Sequence, residues 1–216
     1  LKSSHPDYIR EAYHLGMTRI FLPELDAAFE TTQNNPHHCY TVGEHLMHCM
    51  LYTESDKSMR IAALLHDIGK PVTRTTDEQG IDHFHGHAGV GEEMAARILR
   101  RLKFDNDTIT HVRKLVKYHD YPIETTPRAV RRAINTIGET YFSDVLAIKK
   151  ADMMAQSTYQ RQEKEDHLAQ VEALYQQILE QNQCVSLKSL ALTGNDLIAL
   201  GIPKGKEIGI VLNELL

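Results

Sequence analysis

The chain has 216 residues, 42% of them apolar, and a formal charge of −5. That length suits one large domain, or a domain with a small appendage. The negative balance excludes a strongly basic nucleic-acid surface over the whole chain, though not local basic patches. With 5 Phe, 9 Tyr and no Trp, the core must be mostly Leu, Ile, Ala, Val and Met, which suits packed helices better than a β-sandwich.

The three cysteines, Cys39, Cys49 and Cys184, form no C-x-x-C pair. A scattered odd set reads as reduced thiols in a cytoplasmic protein. No apolar run reaches the length of about 18 residues that a membrane helix needs, so no membrane partner is expected. The N-terminus shows no basic-then-apolar signal. It starts at Leu1 rather than Met, as a piece of a longer protein would.

In chain order, His5-Pro6-Asp7 opens a helical pattern through Leu15, which Gly16 closes. Residues 31–39 are polar and contain Pro36, so they read as a loop. Thr41 and Glu44 have the spacing of a capping box, and the helix they start places His45 on its apolar stripe with Val42, Leu46 and Cys49. Ser58 to Ile68 reads as the next helix and carries the doublet His66-Asp67; Gly69 and Pro71 then stop it. Residues 71–87 read as a loop, with strand-like alternation only near Ile81 to His85. Two helices follow, Gly89 to Phe104 and Asp105 to Tyr118, with His119 directly after the second. Pro127 starts a helix that Gly138 ends. Tyr141 to Ala155 is helical and apolar except for Asp152 near its end. A Gln/Glu-rich helix spans roughly 160–182, and a glycine-rich stretch leads to a short apolar end. The fold class expected is all-α, a helical bundle with a small C-terminal helical appendage.

Thirteen histidines are a high count, a compositional hint of metal chemistry. A catalytic divalent ion needs several N or O donors and one open position for water. His45, His66 and Asp67 are donors on inward faces of adjacent helices. His87 lies just before a helix and His119 just after one. A carboxylate such as Asp152 on an apolar stripe is costly without a metal or a basic partner. Pairing with Lys149, Lys150 or an arginine is the plainer account of it. Most single histidines are surface or core residues, and His5, His14, His37, His38, His48, His111 and His167 are read that way. Spacing leaves open which of His83, His85 and His87 points inward.

The order His45, His66-Asp67, Asp152, with the doublet set in Leu64-Leu65-His66-Asp67-Ile68-Gly69-Lys70, resembles the HD-domain superfamily of metal-dependent phosphohydrolases over residues 37–156. His87 and His119 resemble the additional histidines of members that hold two metals. The flanks HPDYIREAYHLGMTRIFLPEL and LTGNDLIALGIPKGKEIGIVL resemble bacterial tRNA nucleotidyltransferases (CCA-adding enzymes) that carry an HD domain after their catalytic head. The head's signature, Gly-Ser followed by paired carboxylates, is absent from these 216 residues, so nucleotide addition is not expected of this chain alone. Three segments are expected: 1–36 helical, 37–156 the HD domain, and 157–216 helical and tRNA-contacting.

The resemblance implies phosphoester hydrolysis. In that account His45, His66, Asp67 and Asp152 hold one ion, Asp67 bridges, and His87 and His119 complete a second site. The cofactor is one or two divalent ions of Mn, Fe, Ni, Co, Zn or Mg, since a mixed imidazole–carboxylate set suits all of these. Asp67 is both ligand and catalytic residue. Lys70 is the candidate for stabilising phosphate charge, against a plain role at a helix C-terminus. His83 or His85 is the candidate proton donor to the leaving oxygen. The substrate expected is a nucleotide phosphomonoester or cyclic phosphodiester.

Two other readings stand beside this one. One is a free-standing nucleotide phosphohydrolase. The other is a non-catalytic tRNA-binding module, for which Arg128, Arg131, Arg132, Lys204 and Lys206 are the RNA-binding candidates. Arg97, Arg100, Arg101 and Lys103 form a further basic cluster, and ordinary solvated faces are the plainer account of all three clusters.

Overall fold

In the computed structural model, which describes residues 3–181, 185, 190 and 192–215, helices form where apolar residues recur at three- and four-residue spacing. A short 3₁₀ turn, Pro6–Tyr8, leads into α1 (Ile9–His14), and Gly16 ends it at φ +70°, a conformation open to glycine. Next come α2 (Thr18–Phe21), α3 (Pro23–Glu30) and α4 (Val42–Leu51). Thr41 caps α4 by accepting from the Glu44 N–H. The Glu44 carboxylate pairs with Arg10 instead of closing a capping box.

Helix α5 (Lys57–Leu65) is capped by Asp56 and ends earlier than the sequence pattern predicts. His66 to Gly69 form a turn, and α6 (Lys70–Thr73) begins beyond it. The cause is Pro71, which has no N–H to offer the Asp67 carbonyl, so the α-helical ladder cannot run through the doublet. The Lys70 N–H bonds to that carbonyl at 2.9 Å as a tight turn.

The expected loop at 71–87 is more ordered than the Pro and Gly content predicts. After α6 it forms a two-stranded antiparallel ribbon, β1 (Thr75–Thr76) with β2 (Asp82–His83), Thr75 opposite His83. Asp82 locks it by accepting from Arg74, Thr76 and the Asn34 N–H. Helices α7 (His87–Arg101) and α8 (Asn106–Tyr118) then pack side by side, with Asp105 capping α8 through the Thr108 N–H.

Thr126 caps α9 (Pro127–Ile137), and Gly138 ends it at φ +104°. The remaining helices are α10 (Glu139–Ala155), α11 (Arg161–Glu180), α12 (Gly194–Ala199) and α13 (Lys206–Leu215). The chain is therefore all-α, with one minimal ribbon among the described residues.

It divides into two compact units, Leu1–Tyr121 with Ser143–Glu165, and Pro122–Phe142 with Asp166–Leu216. In the first, α3 packs on α4, α4 on α5 and α5 on α8. Leu25, Leu46, Met47, Met50, Ile61, Leu65, Ile68, Ile98, Leu99 and Leu115 are almost wholly buried there. In the second, α12 packs on α13, and Phe142 lies against Tyr175 with ring centroids 4.8 Å apart. Cys39 and Cys49 are free thiols; Cys184 lies outside the described residues. No described helix is long and apolar enough to cross a membrane.

Candidate metal centre

Five segments of the first unit bring six donors together. Helix α4 presents His45, the turn after α5 presents His66 and Asp67, the start of α7 presents His87, and the residue after α8 is His119. Asp152 comes from the last turn of α10. His45 and His66 are fully buried, and Asp67 is 2% exposed.

The donors form two groups that share one carboxylate. In the first, His45 Nε2 lies 3.2 Å from His66 Nε2, and Asp67 Oδ2 lies 3.6 and 3.3 Å from the two rings. Asp152 Oδ1 joins this group, 2.9 Å from His45 Nε2 and 3.7 Å from His66 Nε2. In the second, His87 Nε2 lies 3.2 Å from His119 Nε2, and Asp67 Oδ1 lies 3.3 and 3.5 Å from them. Donors held about 2.0–2.2 Å from one ion stand about 3.0–3.6 Å apart, so these spacings fit metal coordination.

The imidazoles are oriented for it. His66 Nδ1 donates to the Ala63 carbonyl at 2.8 Å, His87 Nδ1 to Phe84 at 2.8 Å and His119 Nδ1 to Val116 at 2.7 Å. Each bond runs to the carbonyl three residues back. It fixes the proton on Nδ1 and turns the Nε2 lone pair towards the cluster, the usual support for a ligating histidine. His45 is the exception, since its buried Nδ1 has no protein partner.

Two glycines let the elements approach. A Cβ on Gly69 would stand 2.3 Å from the His87 carbonyl oxygen and 2.8 Å from the Gly91 nitrogen. Only glycine lets the Asp67 turn press against the start of α7. Gly86 adopts φ +76° as the chain enters α7, which brings His87 to the helix start.

The charges are strongly coupled. Burial opposes ionisation of Asp67, but Lys70, His66 and His119 outweigh it and hold the carboxyl well below its usual range. Asp152 is likewise held low against burial by His45 and His66. Burial works against a proton on His66 too, yet Asp67 raises that ring well above its ordinary value. His119 moves down, chiefly through burial. The cluster thus keeps its carboxylates ionised and compensates them with protons on imidazole. A divalent ion would replace those protons.

Lys70 is 5% exposed. Its Nζ lies 2.7 Å from Asp67 Oδ2 and 2.7 Å from Gln33 Oε1, with His38 Nε2 at 3.4 Å. It opens α6 rather than closing α5, so the reading of Lys70 as a C-terminal helix partner is corrected. The cluster lies in a cleft of about 650 Å³ whose walls include His37, His38, His83, His85, Gln156 and Lys164. His83 Nε2 donates to Asp77 Oδ2 at 2.8 Å, and its ring stacks on His85.

Some expected residues are placed elsewhere. Arg128 and Arg132 both pair with Glu214 within the second unit, and Lys204 and Lys206 are exposed in that unit. Arg101 pairs with Glu24 at 2.6 Å, and Arg97 with Glu93. Sequence reasoning missed His37, His38, Gln156 and Lys164 as cleft residues, and Gln33 as the buried partner of Lys70. His37-His38 next to Pro36 was a local signal; nothing marked the two glutamines or Lys164.

Residues 72–216 match the family model described as tRNA nucleotidyltransferase domain 2, putative. The chain is 31% identical over 215 residues to the CC-adding tRNA nucleotidyltransferase of Thermus thermophilus, covering 96% of this chain and 47% of that protein. It is 30% identical over 207 residues to the A-adding tRNA nucleotidyltransferase of Deinococcus radiodurans, covering 93% of this chain and 47% of that one. A weaker relative is the Multifunctional CCA protein of Actinobacillus pleuropneumoniae, 24% identical over 171 residues, which cover 72% of this chain and 41% of that one. The chain belongs to the tRNA nucleotidyltransferase domain 2 family. It spans about half the length of the curated relatives it matches.

Proposed function

We propose that this chain carries a divalent-metal-dependent phosphohydrolase centre of the HD type, acting on phosphoesters of nucleotides within a tRNA nucleotidyltransferase-like, cytoplasmic protein. The observation that carries the reading is the division of Asp67: each of its oxygens faces a different pair of imidazole Nε2 atoms. A bridging carboxylate with two donor sets is suited to two ions. His45, His66, Asp67 and Asp152 would hold one, and Asp67, His87 and His119 the other.

A divalent ion in such a site acidifies bound water and polarises a phosphoryl group. The chain's own residues do the rest. Asp67 and Asp152 supply the negative charge that retains the cation. Lys70, held by Asp67 and Gln33 where it lines the cleft, sets a fixed positive charge beside the place where phosphate charge develops. Asp77 orients the His83 ring on the cleft wall; a ring carrying both protons can pass one to the leaving oxygen.

The test is an assay of the metal-loaded chain on 2′,3′-cyclic nucleotides and simple phosphomonoesters. Hydrolysis that disappears in His66→Ala supports the reading. Full activity in that variant overturns it.

A second reading, a tRNA-binding body, is favoured by the family match and is compatible with the first. Arg128, Arg131, Arg132, Lys204 and Lys206 would be its contacts. Glu214 already engages Arg128 and Arg132, so RNA phosphate would have to displace it. Salt-dependent tRNA affinity that survives loss of the His66-Asp67 pair would support this role.

A further inference from the structure

The cleft has two lysines, and their electrostatic situations differ. Lys70 is matched by Asp67 at 2.7 Å. Lys164, which also lines the cleft, has no carboxylate within ion-pair distance among the described residues. Its Nζ donates to Gln156 Oε1 at 2.7 Å and to His37 Nδ1 at 3.1 Å. Gln156 in turn donates from Nε2 to Asp152 Oδ1 at 3.1 Å. One amide therefore separates Lys164 from the metal cluster, close enough to share a substrate with it and too far to be a ligand.

An ammonium has three protons, and two are taken by Gln156 and His37. The third is left for a partner in the cleft that Lys164 lines. Lys164 also stands in the first turn of α11 (Arg161–Glu180). The helix dipole is positive there and a cation is disfavoured, so the position gains by receiving an anion. Burial, ahead of the neighbouring charges, lowers the Lys164 pKa, and burial with Lys164 lowers that of His37. A partly desolvated cation held by two neutral acceptors is a site that an anion completes.

We propose that Lys164 binds a second phosphate of the substrate, so that the cleft takes nucleotide esters carrying a phosphate beyond the scissile one, as the end of an oligonucleotide does. A volume of about 650 Å³ is within the range that accommodates a nucleotide rather than a lone phosphate. The proposal rests on the hydrolase reading for the position of the scissile group, and it names the substrate class of that site.

The experiment compares a dinucleotide ending in a 2′,3′-cyclic phosphate with the corresponding mononucleoside 2′,3′-cyclic phosphate, using the metal-loaded chain. Wild type should prefer the dinucleotide. In Lys164→Ala the ratio of the two kcat/KM values should fall about tenfold, mainly through KM, as expected for loss of a charge-assisted hydrogen bond. Lys164→Arg should restore the preference and Lys164→Gln should not. An unchanged ratio in Lys164→Ala overturns the proposal, as does an equal loss on both substrates. If wild type hydrolyses neither, the hydrolase reading fails. Fluorescence anisotropy with a labelled 3′-phosphorylated dinucleotide then decides: binding about tenfold weaker in Lys164→Ala supports the site, and equal binding overturns it.

Discussion

Asp67 Oδ1 lies 3.3 Å from His87 Nε2 although the two residues belong to different elements. Their proximity is set by backbone, since Gly69 lets the doublet's turn rest on the His87 carbonyl.

Gly69→Ala should therefore damage the centre without touching a ligand. Gly69 has φ −79° and ψ −16°, a conformation alanine adopts readily, and the backbone term alone would favour alanine by about 0.4–1 kcal/mol. The added Cβ meets two backbone atoms, which cannot swing aside, and overpacking of that kind costs about 1–3 kcal/mol or more. The clash wins. The expected result is a lower Tm, with weaker metal binding at the His87–His119 side. A Tm at or above wild type would remove this account of how the two halves meet.

Lys70→Met keeps the aliphatic stem and removes the charge. If Lys70 stabilises developing phosphate charge, kcat should fall on the order of 100-fold with metal content retained, the usual scale for losing one fixed electrostatic partner. Unchanged kcat with a lower Tm would reduce Lys70 to a structural partner of Asp67.

His38 gives the fold an acid limb. Burial, then Lys70 and His45, push its pKa from 6.5 down to about 3. The folded pKa is depressed, so the contribution is complete above pH 6.5 and is lost as pH falls towards 3, where the unfolded chain takes a proton that the folded ring refuses. Tm should fall between pH 7 and pH 5, and fall less in His38→Asn. Equal slopes would contradict the assignment.

The metal-free cluster has the opposite sign at His66. Its raised pKa contributes stability that is present below pH 6.5 and lost as pH rises through the folded value. Metal must displace that proton, so Mn²⁺ affinity should increase from pH 6 to pH 8, by on the order of tenfold per pH unit for each proton released. Isothermal titration in buffers of different ionisation heat counts the protons; zero release would contradict the coupling.

Much of this was legible in the sequence because the candidate ligands sit where local patterns point. His45 falls on an apolar helical stripe, His66-Asp67 interrupts an apolar run, and His119 follows a helix whose cap, Asp105, is a standard signal. The cap at Thr41, the helix start at Pro127 and the stop at Gly138 were equally readable. The end of α5 was misplaced because apolar periodicity continues through Ile68 while the backbone ladder does not; Pro71 decides that, three residues later. The ribbon at Thr75–Thr76 and Asp82–His83 rests on the side chain of Asp82, a tertiary interaction with no periodic trace. Gln156 and Lys164 were illegible for a related reason. Both are ordinary surface types, and only the approach of residues 36–38 to the end of α10, through the Ser157 N–H to the His37 carbonyl at 2.9 Å, makes them cleft residues.

The central claim, a two-ion centre bridged by Asp67, is tested most directly by the metal content of the purified chain after Mn²⁺ loading, measured by inductively coupled plasma mass spectrometry. The account predicts about two ions per wild-type chain, about one in His87→Ala, and none retained in Asp67→Ala. Equal metal content in wild type and Asp67→Ala would contradict it.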